Sequence, residues 1–131
     1  CLAAKSGVRV RIITPGVPDK KIVRHLTVSH YGPLLRDGVE IYEYTPGFIH
    51  AKHCTNESSA IVGTINMDFR SFYTHFENGV WIPDGDVLKD IDKDFEDTIK
   101  ICKRITYEDW LKRPWTDKFL QEFLYFFKCH F

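Results

Sequence analysis

The chain has 131 residues, and its 18 lysines and arginines balance 18 aspartates and glutamates, so the formal net charge is zero. Such a balanced field offers no general attraction to nucleic acid, and a composition that is 44% hydrophobic and 15% aromatic excludes intrinsic disorder. A chain of this length closes one sizeable core, which sets the expectation of a single domain over 1–131.

Cys1 to Gly7 reads as the tail of a helix ending at a glycine cap immediately before a strand, so the chain is expected to be a fragment of a longer protein. Val8 to Ile13 alternates ahead of Pro15-Gly16 and predicts a strand with a breaker. Asp19 is placed to cap a helix through Ile22, Val23 and Leu26, which Gly32-Pro33 should end or kink before Leu34-Leu35. Val39 to Tyr44 predicts the next strand. Phe48 to Cys54 and Ala60 to Ile65 predict a pair of strands joined as a hairpin through Asn56 to Ser59, and Asn78 to Ile82 a short fifth strand. After Pro83-Asp84-Gly85 the period turns helical, with Val87, Leu88, Ile91, Phe95, Ile99 and Cys102 on one core-facing stripe. The sum is an α/β layer fold with a mixed sheet.

The segment 115–131 predicts an aromatic-rich helix, with Phe119, Phe123, Phe126, Phe127 and Phe131 on a wide face after Trp110, Lys112, Arg113 and Trp115. Packing within the protein is the first reading of that face, and contact with a membrane interface the second. No stretch of eighteen apolar residues occurs, nor a signal peptide, so no membrane span is expected inside the chain. Cys1, Cys54, Cys102 and Cys129 are scattered without a CxxC pair or zinc spacing, which reads as free thiols. His53-Cys54 beside His50 invites a metal, but adjacent strand residues face opposite ways, so no metal site is expected. His25, His30, His75 and His130 read as ordinary helix or loop histidines, and Arg9, Arg11, Lys20, Lys21 and Arg24 as a solvated charged face.

The chemistry concentrates in His50-Ala51-Lys52, with Gly63-Thr64-Ile65-Asn66 and Glu77 downstream. On a strand, His50 and Lys52 share one face, while Ile49 and Ala51 turn to the core. The hairpin then delivers Thr64 and Asn66 beside the same pocket, with Glu77 at the edge of the fifth strand. Each residue type suits phosphoryl chemistry. Imidazole is a nucleophile near neutral pH and a proton donor once charged. An ammonium is a point charge for phosphate oxygens, and the Thr hydroxyl and Asn amide donate directional hydrogen bonds to them. A carboxylate at Glu77 can accept the second imidazole N–H and fix the tautomer.

His50-x-Lys52 followed by Gly63-Thr64-x-Asn66 resembles the HxK signature of the phospholipase D superfamily. The run Gly38 to Lys52, the run Val62-Gly63-Thr64-Ile65-Asn66-Met67-Asp68-Phe69-Arg70-Ser71, and Phe76-Glu77-Asn78-Gly79-Val80 are similar to the second catalytic half of bacterial cardiolipin synthases. Arg9 to Lys21 fits the same family upstream, so the resemblance covers residues 1–112. Two departures stand out. The family's motif aspartate falls on Glu57, at the hairpin tip, where a carboxylate is expected to tie backbone together, and the interval from His50 to Gly63 is one residue short of the family pattern.

The resemblance implies a phospholipase D-like mixed β-sheet flanked by helices, forming one half of a two-half catalytic unit. It implies phosphatidyl transfer between two phosphatidylglycerols, giving cardiolipin and glycerol through a phosphohistidine, without metal or cofactor. His50, Lys52 and Glu77 would be catalytic, His50 as nucleophile or general acid, with Thr64 and Asn66 on the phosphate. Implied partners are phosphatidylglycerol and related phospholipids, a membrane surface, and either an N-terminal catalytic half or a second copy paired about a two-fold axis, with no nucleic acid. The parent protein would lie at the bacterial cell membrane with its catalytic part on the cytoplasmic side, this fragment being soluble or peripheral and inactive unless paired. A phosphodiester hydrolase or nuclease, and an inactive half serving as an interaction or membrane-docking module, are the alternatives.

Overall fold

The computed structural model describes residues 1–126. Leu2–Lys5 forms a single helical turn, α1, closed by Gly7 at φ 89°, a conformation that costs glycine nothing. The first strand, β1 (Arg11–Pro15), lies further along than the alternation predicts and runs through Pro15. Pro15 is tolerated because β1 is an edge strand, and the amide of Gly16 resumes the bonding by donating to Tyr44 O at 2.8 Å. Helix α2 (Lys21–Arg36) takes Lys20 as its N-cap, with no side-chain capping bond, and continues past Pro33 for a further turn. Tyr31, Leu34 and Leu35 pack into the core there, and that packing overrides the proline. Strand β2 (Glu40–Tyr44) follows as predicted.

Strands β3 (His53–Asn56) and β4 (Ser59–Gly63) make the predicted hairpin, but β3 starts well after Phe48, leaving His50, Ala51 and Lys52 ahead of the ladder. Three elements were not predicted. Helix α3 (Phe69–Tyr73) is capped by Asp68, whose carboxylate accepts from the Ser71 amide. Strand β5 (Gly79–Pro83) and helix α4 (Asp86–Lys100) match expectation, whereas Cys102, assigned by its spacing to that helix, opens a further strand, β6 (Cys102–Ile105). Helix α5 (Tyr107–Leu111) is set by a capping box between Thr106 and Asp109. Helix α6 (Trp115–Phe126) realises the start of the predicted aromatic helix. Phe127, Cys129, His130 and Phe131 lie outside the described residues.

The strands form two three-stranded sheets, and the chain divides into two compact units, Cys1–Ile49 together with the chain from Ile101, and His50–Lys100. In the first unit β2 is central, parallel to β1 and antiparallel to β6, which is the mixed sheet of the predicted α/β fold. Tyr31, Val39, Ile41 and Ile105 form its core, with Ile12, Val28, Leu34, Leu35 and Trp110 against them. Burying a side chain as completely as Ile41 contributes roughly 1.5–3 kcal/mol. Gly32 lets the Trp110 ring lie on α2, since a Cβ there would come within 2.4 Å of it, and the indole N–H donates to Val28 O at 2.8 Å. The basic residues Arg9 and Arg24 are paired, with Glu40 and Glu43 respectively. On α6, Trp115, Phe119 and Phe123 are exposed while Gln121 is buried.

In the second unit β4 is central in an antiparallel sheet, with His53 opposite Val62 and Val62 opposite Val80. Helix α4 packs on all three strands; its Leu88 is buried, and the ring of Phe95 meets the His53 imidazole edge-on at 5.9 Å. Val87, counted on the core stripe by its spacing, is exposed. Among the described residues no helix is long and apolar enough to cross a membrane.

Candidate active site

Every residue singled out for phosphoryl chemistry falls in the second unit, around the ends of β4 and β5 that β4 leaves at Gly63. Gly63 sets this geometry. Its amide donates to Lys52 O at 3.0 Å, and a Cβ on it would lie 2.1 Å from Asn78 O, so only glycine allows the two chains to approach so closely. The next amide, that of Thr64, donates to Asn78 O at 2.9 Å. The main chain thereby joins the Lys52 segment, Thr64 and the Glu77–Asn78 turn.

Thr64 and Glu77 meet directly. The Thr64 hydroxyl donates to Glu77 Oε2 and accepts from the Asn78 amide at 3.0 Å. Ser71 is the next group to favour the charged carboxylate, and the Lys52 ammonium adds positive charge nearby. These groups, Thr64 foremost and then Ser71, hold the Glu77 carboxyl below its ordinary value, so it stays ionised. Its side chain is 15% exposed, shielded yet within reach of solvent.

His50 is exposed and lies outside any strand, so its position relative to Lys52 does not follow from strand alternation. Lys52 instead folds back, its ammonium donating to His50 O at 2.8 Å. Ala51, expected to face the core, is exposed. Asn66 stands past the strand with its amide donating to Ser71 Oγ at 3.2 Å. The hairpin tip is tied by Asn56 and not by Glu57: the Asn56 carboxamide oxygen accepts from the Ser58 and Ser59 amides, both at 2.9 Å, while Glu57 is exposed.

Three further residues of the cluster were not singled out. Ser71 is buried at 7% exposure, Arg70 lies on the same helix, and His75 lies 3.8 Å from Glu77. Arg70 Nη2 is 2.9 Å from His75 Nε2, and since a guanidinium only donates, the neutral imidazole carries its proton on Nδ1, toward Glu77. Asp68-Phe69-Arg70-Ser71 signals the start of α3, with an acidic N-cap that accepts from the amide three residues on. Among the described residues no group of three His, Cys, Asp or Glu side chains could hold a metal ion. Cys1 and Cys54 are exposed free thiols and Cys102 a half-buried one. Burial pushes the Cys102 thiol above its ordinary value, which leaves it protonated and unreactive.

Known proteins share this arrangement of sequence. The family described as cardiolipin synthase, PLD-like domain, matches residues 1–99. A protein of Streptococcus mutans with no assigned function is 49% identical over 105 residues, which cover 79% of this chain and 23% of that protein. A cardiolipin synthase of Clostridium perfringens is 42% identical over 113 residues, 86% of this chain and 24% of the relative. Cardiolipin synthase 1 of Staphylococcus aureus is 42% identical over 119 residues, 90% of this chain and 24% of the relative. The chain thus spans about a quarter of the length of the curated relatives it matches. With its mixed α/β build and most of its length matched, the chain belongs to the family of cardiolipin synthase PLD-like domains.

Proposed function

We propose that this chain supplies one half of the site of a phosphatidyltransferase that joins two phosphatidylglycerols into cardiolipin and glycerol. The observation that carries this reading is the convergence of Lys52, Thr64 and Glu77 at the close approach of Gly63 and Asn78, directly after His50 in the chain. One histidine of the full site attacks phosphorus, forming a P–N bond as the P–O bond to glycerol breaks. The histidine of the other half gives the departing alkoxide its proton. The second phosphatidylglycerol then loses its hydroxyl proton to that histidine and attacks, re-forming a P–O bond as the P–N bond breaks. His50 takes one of these two roles.

Lys52, Thr64 and Asn66 hold phosphate oxygens, and the ionised Glu77 orients and stabilises the His50 imidazole. With an ammonium and neutral donors to balance the phosphate charge, the reading includes no metal and no cofactor. The second half comes from the rest of the parent chain or from a second copy about a two-fold axis, leaving residues 1–131 alone inactive. Phosphatidylglycerol is presented at a membrane surface, a setting the exposed Trp115, Phe119 and Phe123 of α6 suit. The parent protein accordingly belongs at the bacterial membrane, with the catalytic part on the cytoplasmic side.

The exposure of His50, Thr64 and Asn66 favours one second reading, in which water replaces the lipid acceptor and the product is phosphatidic acid. One experiment addresses both. The full-length protein is incubated with labelled phosphatidylglycerol, quenched in acid and compared with its His50→Ala variant. Cardiolipin lost together with the trapped phosphoenzyme makes His50 the nucleophile, whereas turnover lost with the adduct retained makes it the proton carrier. Phosphatidic acid in place of cardiolipin selects hydrolysis, and unchanged turnover in His50→Ala refutes the site.

A further inference from the structure

We infer that His75 is a positioning residue of this site, held by Arg70 so that its Nδ1–H faces the Glu77 oxygen that Thr64 does not bond. The role rests on the phosphatidyl-transfer reading for its consequence, while the geometry stands without it. His75 reads in the sequence as an ordinary loop histidine, yet it follows directly on Thr74, the C-cap of α3. Its amide donates to Arg70 O at 2.8 Å, and the Thr74 amide and hydroxyl donate to the same oxygen at 3.0 and 3.1 Å. The main chain of His75 is thereby fastened to the residue whose guanidinium also meets its ring, Arg70 Nη2 lying 2.9 Å from Nε2. One residue thus grips His75 at its backbone and at one ring nitrogen, which sets both the orientation of the imidazole and its tautomer. Because a guanidinium only donates, Nε2 accepts and the proton sits on Nδ1.

That proton is on the Glu77 side of the ring. Nδ1 lies 3.8 Å from Glu77 Oε1, whereas the Thr64 hydroxyl donates to Oε2, so two donors address the two oxygens of one carboxylate. The contact is about 1 Å longer than a hydrogen bond, and the ring acts on Glu77 through its N–H dipole until the carboxylate moves toward it. Substrate treats the two donors differently. Thr64 is exposed and, in the phosphatidyl-transfer reading, meets a phosphate oxygen as well. His75 has no second duty of that kind, since Arg70 occupies its other nitrogen. It therefore keeps Oε1 in line whether or not substrate is bound, and Oε2 is the oxygen that turns to the His50 imidazole. A histidine that only closed the end of α3 would need neither a fixed tautomer nor a carboxylate beside its proton.

The test uses His75→Phe and His75→Asn in the full-length protein, with kcat and KM measured on phosphatidylglycerol vesicles. Phenylalanine keeps a ring and loses the N–H, so kcat should fall roughly tenfold with KM little changed. Asparagine, whose amide N–H falls where Nδ1–H stood, should recover most of that loss. Labelling the histidines with 15N then reports the tautomer of the ring, with His75→Asn identifying its resonances. In wild type the neutral ring should carry its proton on Nδ1, in Arg70→Met the proton should spread over both nitrogens, and in Glu77→Gln the Nδ1 signal should shift. A wild-type protein that transfers nothing overturns the phosphatidyl-transfer reading, and the ring signals then decide the placement of His75 by themselves. A proton on Nε2 overturns the inference, and so does an Nδ1 signal indifferent to Glu77→Gln. Unchanged kcat in folded His75→Phe, or an asparagine variant no better than the phenylalanine one, overturns it equally.

Discussion

Arg24 Nη2 stands 2.8 Å from Glu43 Oε1, and the two side chains are only 24% and 10% exposed. The pair is completed by Tyr31, whose hydroxyl donates to Glu43 Oε1 at 3.1 Å and is itself within 2.6 Å of Thr14 Oγ1. Burial pushes the Tyr31 phenol far above its ordinary range, so it stays a donor at any working pH. Removing the cation would strand a carboxylate in the sheet. Arg24→Met should therefore destabilise the protein by about 3 kcal/mol, and the double variant Arg24→Met with Glu43→Leu by clearly less. Chemical denaturation of the two variants checks the ordering, and equal losses would deny that the pair is coupled.

Gly63→Ala places a methyl 2.1 Å from the Asn78 carbonyl oxygen, a main-chain atom that cannot swing aside. The strand ends must separate, at a cost of roughly 1–3 kcal/mol. Activity should fall further than stability, because the same approach brings Thr64 to Glu77. Melting curves and turnover on one preparation separate the two effects. A variant that melts normally and turns over normally would contradict the close approach.

Thr64→Val deletes the leading donor to Glu77 and leaves the Asn78 amide without its acceptor. The Glu77 carboxyl should then titrate higher, back toward its ordinary value, so the protein loses activity sooner as pH falls. If Thr64 also holds a phosphate oxygen, the loss at neutral pH should be on the order of a hundredfold or more. The pH dependence of kcat/KM measures both.

Glu40 is bonded by Arg9 at 2.9 Å and by the Tyr42 hydroxyl at 2.6 Å, and these donors, Arg9 first, pull its carboxyl down from 4.5 to about 2. A carboxyl lowered in the folded state favours folding wherever it is ionised. Its contribution is complete above 4.5 and is lost as pH falls from there through about 2. Arg9 is 67% exposed, so screening limits the effect to about 1 kcal/mol. Glu40→Gln should flatten the stability curve across that window and lower it above the window by about 1 kcal/mol, leaving only the acid end unchanged, as denaturation on either side of the window will show.

Strong local signals were legible in the sequence. The alternation of Val39 to Tyr44 marks β2, and the break at Pro83-Asp84-Gly85 followed by Leu88, Ile91, Phe95 and Ile99 marks α4. Where tertiary pairing decides, the pattern failed. Strand β6 has Lys103 and Arg104 between its apolar ends and exists because Cys102 to Ile105 pairs with Tyr44 to Ile41. Pro33 reads as a helix end, yet core packing of Leu34 and Leu35 carries α2 past it. The capping box Thr106 to Asp109 announces α5. In the site, the pairing of Thr64 with Glu77 was foreseen only as proximity to a common pocket. Ser71, Arg70 and His75 join it because α3 folds back on Asn66, a contact no residue spacing encodes.

A hydroxyl has a single proton to give, and in Thr64 that proton already belongs to Glu77. A phosphate oxygen reaching Thr64 therefore arrives as a rival of the carboxylate and not as a guest at an empty seat. When the phosphate wins, Glu77 recovers the lone pair Thr64 had claimed. Occupancy of the site and the bonding freedom of its acid are in this way two readings of the same proton.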